Sequence, residues 1–323
     1  MRLERAEQLI AQFPRQHILV AGDVMLDEFL WGDVSRISPE APVPVVEVTG
    51  ESFFAGGAAN VARNLREFGA RVSMAGVRGD DAAGGKLAAL LRASEIDDAA
   101  VAVSADAPTI VKTRVIARHQ QVVRIDREQR RRVPSSVERE VLEILAAQSG
   151  GWSAVIFSDY AKGFLTAGMA DGICRLARGR IIAVDPSPLS PVEWHGVTVV
   201  KPNLKEARAA AGVLPNASPQ ETAARLLERW DTQMVLITMG EHGMLLVERG
   251  AEPYHTPTRA REVFDVSGAG DTAIAVFTLA LAAGASPREA AELANHASGV
   301  AVGKLGTATV KPEELLESIA RMS

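Results

Sequence analysis

The sequence predicts an α/β protein, in which a mostly parallel central sheet is covered by helices on both faces and carries a small inserted β lid. Three observations lead there. Short, almost wholly apolar runs recur along the chain and end in a polar residue or a turn, as buried parallel strands do. From residue 154 onward these runs alternate with helical stretches, and strand–helix alternation with right-handed crossovers builds a parallel sheet. Two extended segments, near 43–48 and 109–126, do not fit that sheet and are expected to form the lid.

The elements follow in order. Met1 to Ile10 reads as an amphipathic helix; its acidic residues and its lack of an apolar h-region argue against a secretory signal. His17 to Asp23 is an apolar run closed by Gly22-Asp23. Sites of open α/β sheets lie at such strand ends, so Asp23 is either a turn residue or a polar group of the site. Pro42 to Val48 is extended, because each proline biases itself and its predecessor that way. A helix is predicted from about Ala58 to Phe68, stopping at Gly69, then a strand over Arg71–Val77. The loop Gly79-Asp80-Asp81 leads into a helix through Ser94.

Thr109 to Asp126 reads as a hairpin with His119-Gln120-Gln121 near its turn. Alternation places Lys112, Arg114 and Arg118 on one face, with Ile116, and Val111, Thr113 and Val115 on the other. That charged face is either solvated or a lid over a negatively charged substrate. Arg127 to Arg132 reads as a solvated connector. Strands follow at Ala154–Asp159, Ile181–Pro186, Val197–Val200 and Met234–Thr238, with a helix at 167–177 and another opened by Asn203-Leu204-Lys205-Glu206. Two long helices come after Gly268, the second starting past Pro287.

Composition narrows the function classes. A chain of 323 residues accommodates one large α/β domain or two smaller ones, and 47% apolar residues suffice for a sizeable core. Aromatic content of 5% and a net charge of −5 argue against a nucleic-acid surface. Cys174, the single cysteine, excludes an internal disulfide and a cysteine-cluster zinc site, and it reads as a small core residue on a helix. The six histidines lack metal-ligand spacing. No apolar run is long enough to span a bilayer, so a soluble, cytoplasmic protein is expected, with neither membrane nor nucleic acid as partner.

The most informative stretch is Asp265-Val266-Ser267-Gly268-Ala269-Gly270-Asp271-Thr272, followed by the apolar run from Ala273. Small residues here allow a tight turn into a helix, and the backbone amides of Gly268, Ala269 and Gly270 can converge on an anion. Asp271 then either caps the helix or stands as a base beside a bound phosphate. Asn203 and Glu206, three apart at a helix start, read as a capping box or as part of a site. Thr238, Gly240 and Gly243 form a turn just past a strand. The P-loop pattern and the protein-kinase motifs are both missing.

Val266 to Thr272 resembles the C-terminal signature of the PfkB/ribokinase family of small-molecule kinases, and Phe54-Ala55-Gly56-Gly57-Ala58-Ala59-Asn60-Val61-Ala62 resembles its N-terminal one. Within the family, Val24–Asp27, Ser35–Pro44 and Ser158–Gly163 are similar to the kinases acting at C1 of D-glycero-β-D-manno-heptose 7-phosphate. The resemblance covers nearly the whole chain. It implies one ribokinase-like kinase domain over 1–323 with lid segments near 24–55 and 105–128, and a homodimer formed through the lid. ATP and Mg²⁺ are the implied cofactors, with a monovalent cation left open. Asp271 would be the general base and Gly268, Ala269 and Gly270 the anion hole. The sugar would meet Asp23, Gly56, Gly57 and Asn60, and its phosphate Lys112, Arg114, Arg118 or Lys162. The nucleotide would lie along Asn203, Thr238, Gly240, Gly243 and Asn295, with Glu206 organising Mg²⁺ mostly through water. The product would be the 1,7-bisphosphate, on the way to ADP-heptose and the lipopolysaccharide core. In bifunctional relatives a nucleotidyltransferase domain follows, so this sequence is expected to carry the kinase step alone. A kinase of ribose, fructose or fructose phosphate, or a silent sugar-binding protein on the same fold, stands as the alternative.

Overall fold

A computed structural model of the chain describes residues 1–118, 120–260, 263–304 and 306–321. Among the described residues the main sheet has nine strands: β1 (His17–Gly22), β4 (Arg71–Gly79), β5 (Asp97–Ser104), β8 (Ala154–Ser158), β9 (Ile181–Asp185), β10 (Val199–Val200), β11 (Met234–Thr238), β12 (Met244–Glu248) and β13 (Tyr254–Thr256). Their spatial order is β13-β12-β11-β10-β9-β8-β1-β4-β5. Every neighbour pair from β5 across to β11 is parallel, while β12 and β13 close the far edge antiparallel. That antiparallel edge was not foreseen from the sequence.

Both faces of the sheet are covered, because alternate side chains of each apolar strand leave in opposite directions. Ile18, Val20, Ile156 and Leu236 enter one core, under α1 (Leu3–Ile10), α2 (Ala58–Glu67), α3 (Ala82–Ala93), α8 (Ala269–Ala282), α9 (Pro287–Ala301) and α10 (Pro312–Ala320). Leu19, Val155, Val184 and Val235 enter the other, under α4 (Ser135–Gln148), α5 (Ala167–Leu176), α6 (Leu204–Ala211) and α7 (Pro219–Arg229). Each large side chain so buried contributes about 1.5–3 kcal/mol. The helix α8 is apolar around its whole circumference and therefore sits innermost, with Asp271 through Ala280 all buried. Cys174, expected in the core, is only half-buried on α5, at its margin.

A separate four-stranded sheet is formed by β2 (Val24–Ile37), β3 (Pro44–Gly57), β6 (Val111–Ala117) and β7 (Gln120–Arg127), in the order β3-β2-β6-β7. This is the inserted β element. Its first two strands are each 14 residues long, far beyond the short extended segment read at 43–48, and they pair antiparallel from Val24–Gly57 to Ile37–Pro44. β2 leaves directly from the end of β1, and β3 runs directly into α2, so the sheet is rooted at the carboxyl edge of the main one. Its root is buried and its outer end exposed. The hairpin expected at 109–126 is β6 and β7; of its turn, His119 lies outside the described residues. Among the described residues no helix is long and apolar enough to cross a membrane.

Candidate active site

The two glycine-rich motifs meet through α2 and α8. Asn64 and Thr272 share a buried hydrogen bond of 3.0 Å, with the threonine hydroxyl donating. One turn away, the Asn60 amide donates to Asp271 Oδ2 at 2.8 Å. The Tyr160 hydroxyl, from the loop after β8, donates to Asp271 Oδ1 at 2.7 Å. Each carboxylate oxygen therefore has one fixed donor, and both hold the group in a single orientation. Burial raises the Asp271 pKa; Asn60, Tyr160 and Lys201 pull it down without overcoming that, and Asp27 pushes it further up.

Capping is not its role. The N-cap of α8 is Gly268, in the left-handed conformation (φ 80°), and Asp271 is the third residue of the helix proper. A side chain at Gly268 would be strained, and its Cβ would press to 2.9 Å from the Asn60 amide. Thr272 N–H makes the first α-helical bond, to Gly268 O (2.9 Å), and Ala269 N–H reaches Val266 O (3.3 Å). The N–H groups of Gly270 and Asp271 thus face outward from the helix start without an intrahelical acceptor, which makes an anion-binding end.

Lys201, directly after β10, is only 3% exposed, yet its Nζ stands where a Cβ on Gly270 would come within 3.4 Å. Its Nζ pairs with Asp185 Oδ1 at 3.0 Å. Burial pushes Asp185 up to about 7, against the pull of Lys201, and the charges of Asp271 and Glu206 add to the rise. Asp159, at the end of β8, is likewise pushed up to about 6 by burial. All of these groups lie at the carboxyl ends of parallel strands, where open α/β sheets bind ligands.

A cleft of about 970 Å³ opens over them, lined by Tyr160, Asp185, Lys201, Glu206, Gly270 and Asp271 among others. Thr238, Gly240, Gly243, Asn203 and Asn295 line the same cleft. Asn203 and Glu206 form a complete capping box: Asn203 Oδ1 accepts from Glu206 N–H (2.9 Å), and Glu206 Oε2 accepts from Asn203 N–H (3.0 Å). Asn295 is buried and its amide donates to Thr256 Oγ1 (2.9 Å) and Pro257 O (2.6 Å), fixing the strand that backs the cleft.

On the other side stands the root of the four-stranded sheet. Asp23 anchors the loop that follows β8. It is buried, and its carboxylate accepts from the backbone N–H of Tyr160 (3.0 Å), Lys162 (3.0 Å) and Phe164 (3.2 Å), so both oxygens are used in anchoring that loop. Gly57 is the N-cap of α2, and Gly56 packs so closely that a Cβ would collide with the Asp27 carboxylate. Arg114 donates to Asp27 Oδ1 at 2.6 Å and lies over the Phe29 ring. Lys162 pairs with Glu128 Oε1 (2.6 Å), not with Asp159, and Lys112 with Asp126 (3.1 Å). Arg118 stands apart, exposed in the turn at the far tip of β6 with φ 47°.

Asp27, Arg63, Tyr160, Asp185 and Lys201 were not singled out from the sequence. For Asp185 and Lys201 the signal existed, since each directly closes or follows an apolar strand, as Asp23 does. Asp27 and Tyr160 lie inside recognised motifs with no role attached. Arg63 sits in the middle of α2, half-buried over Phe54, with hydrogen bonds to Asn60 Oδ1 and Thr307 O (both 3.3 Å), and nothing in its spacing marks it.

Residues 15–314 match the pfkB family of carbohydrate kinases. The bifunctional protein HldE of Pelobacter propionicus is 45% identical over 97% of this chain and 65% of its own length. HldE of Geobacter sulfurreducens is also 45% identical, over 99% of this chain and 66% of its own length. The chain therefore spans just under two thirds of the length of these curated relatives. Among solved structures, phosphofructokinase-2 from Escherichia coli in complex with substrates and products has a TM-score of 0.77 at 21% identity, covering 95% of this chain and 98% of that one. Arabidopsis thaliana ribokinase complexed with ribose and ATP has a TM-score of 0.71 at 18% identity, with 94% and 98% covered. Likeness at that identity speaks for the fold alone, which is ribokinase-like.

Proposed function

The chain belongs to the pfkB family of carbohydrate kinases, enzymes that phosphorylate a sugar hydroxyl, and on that premise we propose that it transfers the γ-phosphoryl group of ATP to C1 of D-glycero-β-D-manno-heptose 7-phosphate. The observation that carries the reading is Asp271, a buried carboxylate held by Asn60 and Tyr160 in the first turn of α8, above two N–H groups with no intrahelical acceptor. Phosphoryl transfer needs in-line positioning, charge stabilisation and a base for the incoming hydroxyl. Asp271 takes the hydroxyl proton. The Gly270 and Asp271 amides, with Lys201 beside them, receive the oxygens of the transferring group. ATP fits the cleft by its size and by the ribokinase relative that holds it. The heptose assignment rests on the segments at 24–27, 35–44 and 158–163 and on the HldE relatives.

Glu206 and Asp185 give the cleft hard oxygen donors of the kind Mg²⁺ takes alongside water, so the residues present fit that ion. When bound, Mg²⁺ neutralises charge on the phosphates. Glu206→Gln is expected to raise the Mg²⁺ concentration needed for half-maximal rate severalfold while the melting temperature holds, because Gln also serves in a capping box. An unchanged Mg²⁺ titration would leave Glu206 with the capping role alone.

The chain acts as one kinase domain over 1–323, and the four-stranded sheet serves both as lid and as homodimer surface. Exposed Ile37, Val48, Val123 and Ile125 on that sheet support the dimer, which sedimentation equilibrium would test. The substrate is tested with a panel: the heptose 7-phosphate, its unphosphorylated sugar, ribose, fructose and fructose 6-phosphate, with the product identified by NMR. The heptose 1,7-bisphosphate as the best product supports the assignment. Preference for another member of the panel would redirect it.

A further inference from the structure

One cluster on the lid side of Asp271 is not explained by the chemistry above. Lys112, on β6, pairs in register with Asp27 on β2, and these strands run parallel, so both side chains leave the same face of the sheet. Asp27 is near enough to the reacting carboxylate for its charge to raise the Asp271 pKa. Lys162 belongs to the loop that Asp23 anchors and that presents Tyr160 to Asp271. Lys112 and Lys162 thus approach one space from opposite sides, one from the inserted sheet and one from the main body. Their side chains are 14% and 9% exposed.

Glu128, one residue past β7, occupies that space. Its Oε1 is 2.6 Å from Lys162 Nζ, and Arg130 Nε comes within 3.8 Å of the same oxygen. Its Oε2 is buried without a hydrogen-bond partner and stops 3.7 Å short of Lys112 Nζ. Lys112 makes its close contact with Asp126 instead, at 3.1 Å. A flat, two-oxygen carboxylate serves one of the two lysines well and the other poorly. A tetrahedral phosphomonoester offers three terminal oxygens and about twice the charge, so it can bond both at once.

We propose that Lys112 and Lys162 form the receptor for the substrate's own phosphate, and that Glu128 holds its place in the ligand-free protein and is displaced when the dianion arrives. This rests on the sugar-phosphate reading given above. The exchange keeps the two parts of the molecule bridged. Before binding, Glu128 connects the exit of the inserted sheet to the loop of the main body; after it, the phosphate makes the same connection through Lys112 and Lys162. Glu128 and Asp126 match the charge of the two lysines, and Arg124 on Asp126 (2.9 Å) and Arg130 near Glu128 (3.8 Å) leave the cluster positive, so it attracts a dianion while Glu128 still fills the place between the lysines. An unphosphorylated sugar cannot displace Glu128 and leaves the cluster closed, which makes it a device for choosing sugar phosphates over sugars.

The test is calorimetric titration of the full chain with the heptose 7-phosphate and, separately, with the unphosphorylated heptose, no nucleotide present. For Glu128→Gln the structure predicts tighter binding of the phosphorylated sugar, by about 3–10-fold, because the occupied state that competes with it is removed. For Lys112→Gln and Lys162→Gln it predicts weaker binding of that ligand by about tenfold or more, as expected for losing a charge-assisted bond. Affinity for the unphosphorylated sugar should stay within about twofold of wild type in all three. Should Glu128→Gln fail to fold, Glu128→Ala carries the same expectation. Glu128 variants that weaken or do not change phosphate-dependent binding overturn the proposal, as do lysine variants that affect both sugars alike. Wild-type protein that binds the two sugars equally would instead remove the sugar-phosphate reading itself, so the two failures are told apart.

Discussion

Asp271→Asn is expected to lower turnover by roughly 10²–10⁴, the usual worth of a positioned general base. The substitution keeps size and shape. It also removes a buried charge whose ionised form burial disfavours, since the folded-state pKa of Asp271 is raised. A group with a raised folded pKa weakens the fold as pH climbs through that pKa, so at neutral pH the Asn variant should melt no lower than wild type. Nucleotide binding should hold or tighten, because one negative charge beside the phosphates is gone. The wild-type rate should fall on the acid side as Asp271 takes up a proton, and at a higher pH than an ordinary carboxylate would dictate. Tyr160→Phe removes a donor that pulls this pKa down, so it should move that acid limb upward without abolishing turnover. A folded Asp271→Asn protein with near-normal turnover would end the mechanism proposed here.

Lys201→Met should cost about 10²–10³ in turnover, the range seen when one preorganised donor to a developing negative charge is removed. The cation lies against Gly270, at the end of α8 where that charge gathers. Breaking a buried ion pair usually destabilises by about 3–5 kcal/mol, because the surviving charge is left alone. Here Asp185 has an escape: already pushed up to about 7, it rises further without Lys201 and takes a proton. The sign follows from linkage. Both proteins lose stability as pH rises above the ordinary carboxylate range, wild type until Asp185 ionises at about 7 and the variant further, up to its higher pKa, so the variant should melt near wild type at pH 6 and clearly lower at pH 8.5. Adding Asp185→Asn should recover the melting temperature at high pH but not the turnover. A single Lys201→Met variant with normal turnover would remove the lysine from the anion site.

What could be read from the chain divides along physical lines. The strands of the parallel sheet were legible because burial on both faces writes them as unbroken apolar runs, as in Ile18–Ala21 and Val155–Phe157. For Asp271 the glycine turn before an apolar helix left a cap and a base open, the family resemblance pointed to the base, and the fold removes the cap because Gly268 holds that place. β2 and β3 were legible only in part: their outer halves are exposed, so no alternation marks Trp31–Ile37 or Val45–Glu51 as strands. Partners were illegible throughout. Nothing local says that Asp23 will spend its oxygens on three amides of a loop beginning at residue 160, or that Lys162 will meet Glu128 and not its neighbour Asp159. Such pairings are set by which strands become neighbours, and only the folded topology decides that.

The bond between Asn60 and Asp271 joins residues 211 apart in the chain, and the neighbouring Asn64–Thr272 bond spans nearly as far. Contacts of such separation close late and slowly during folding, because the intervening loop entropy must first be overcome by other structure. During synthesis, the inserted sheet and α2 emerge well before α8 exists, so Asn60 is made long before the Asp271 carboxylate it holds. For a folding experiment, recovery of turnover should trail recovery of far-UV circular dichroism, since helices and strands can form locally while the base waits for the last long-range closure.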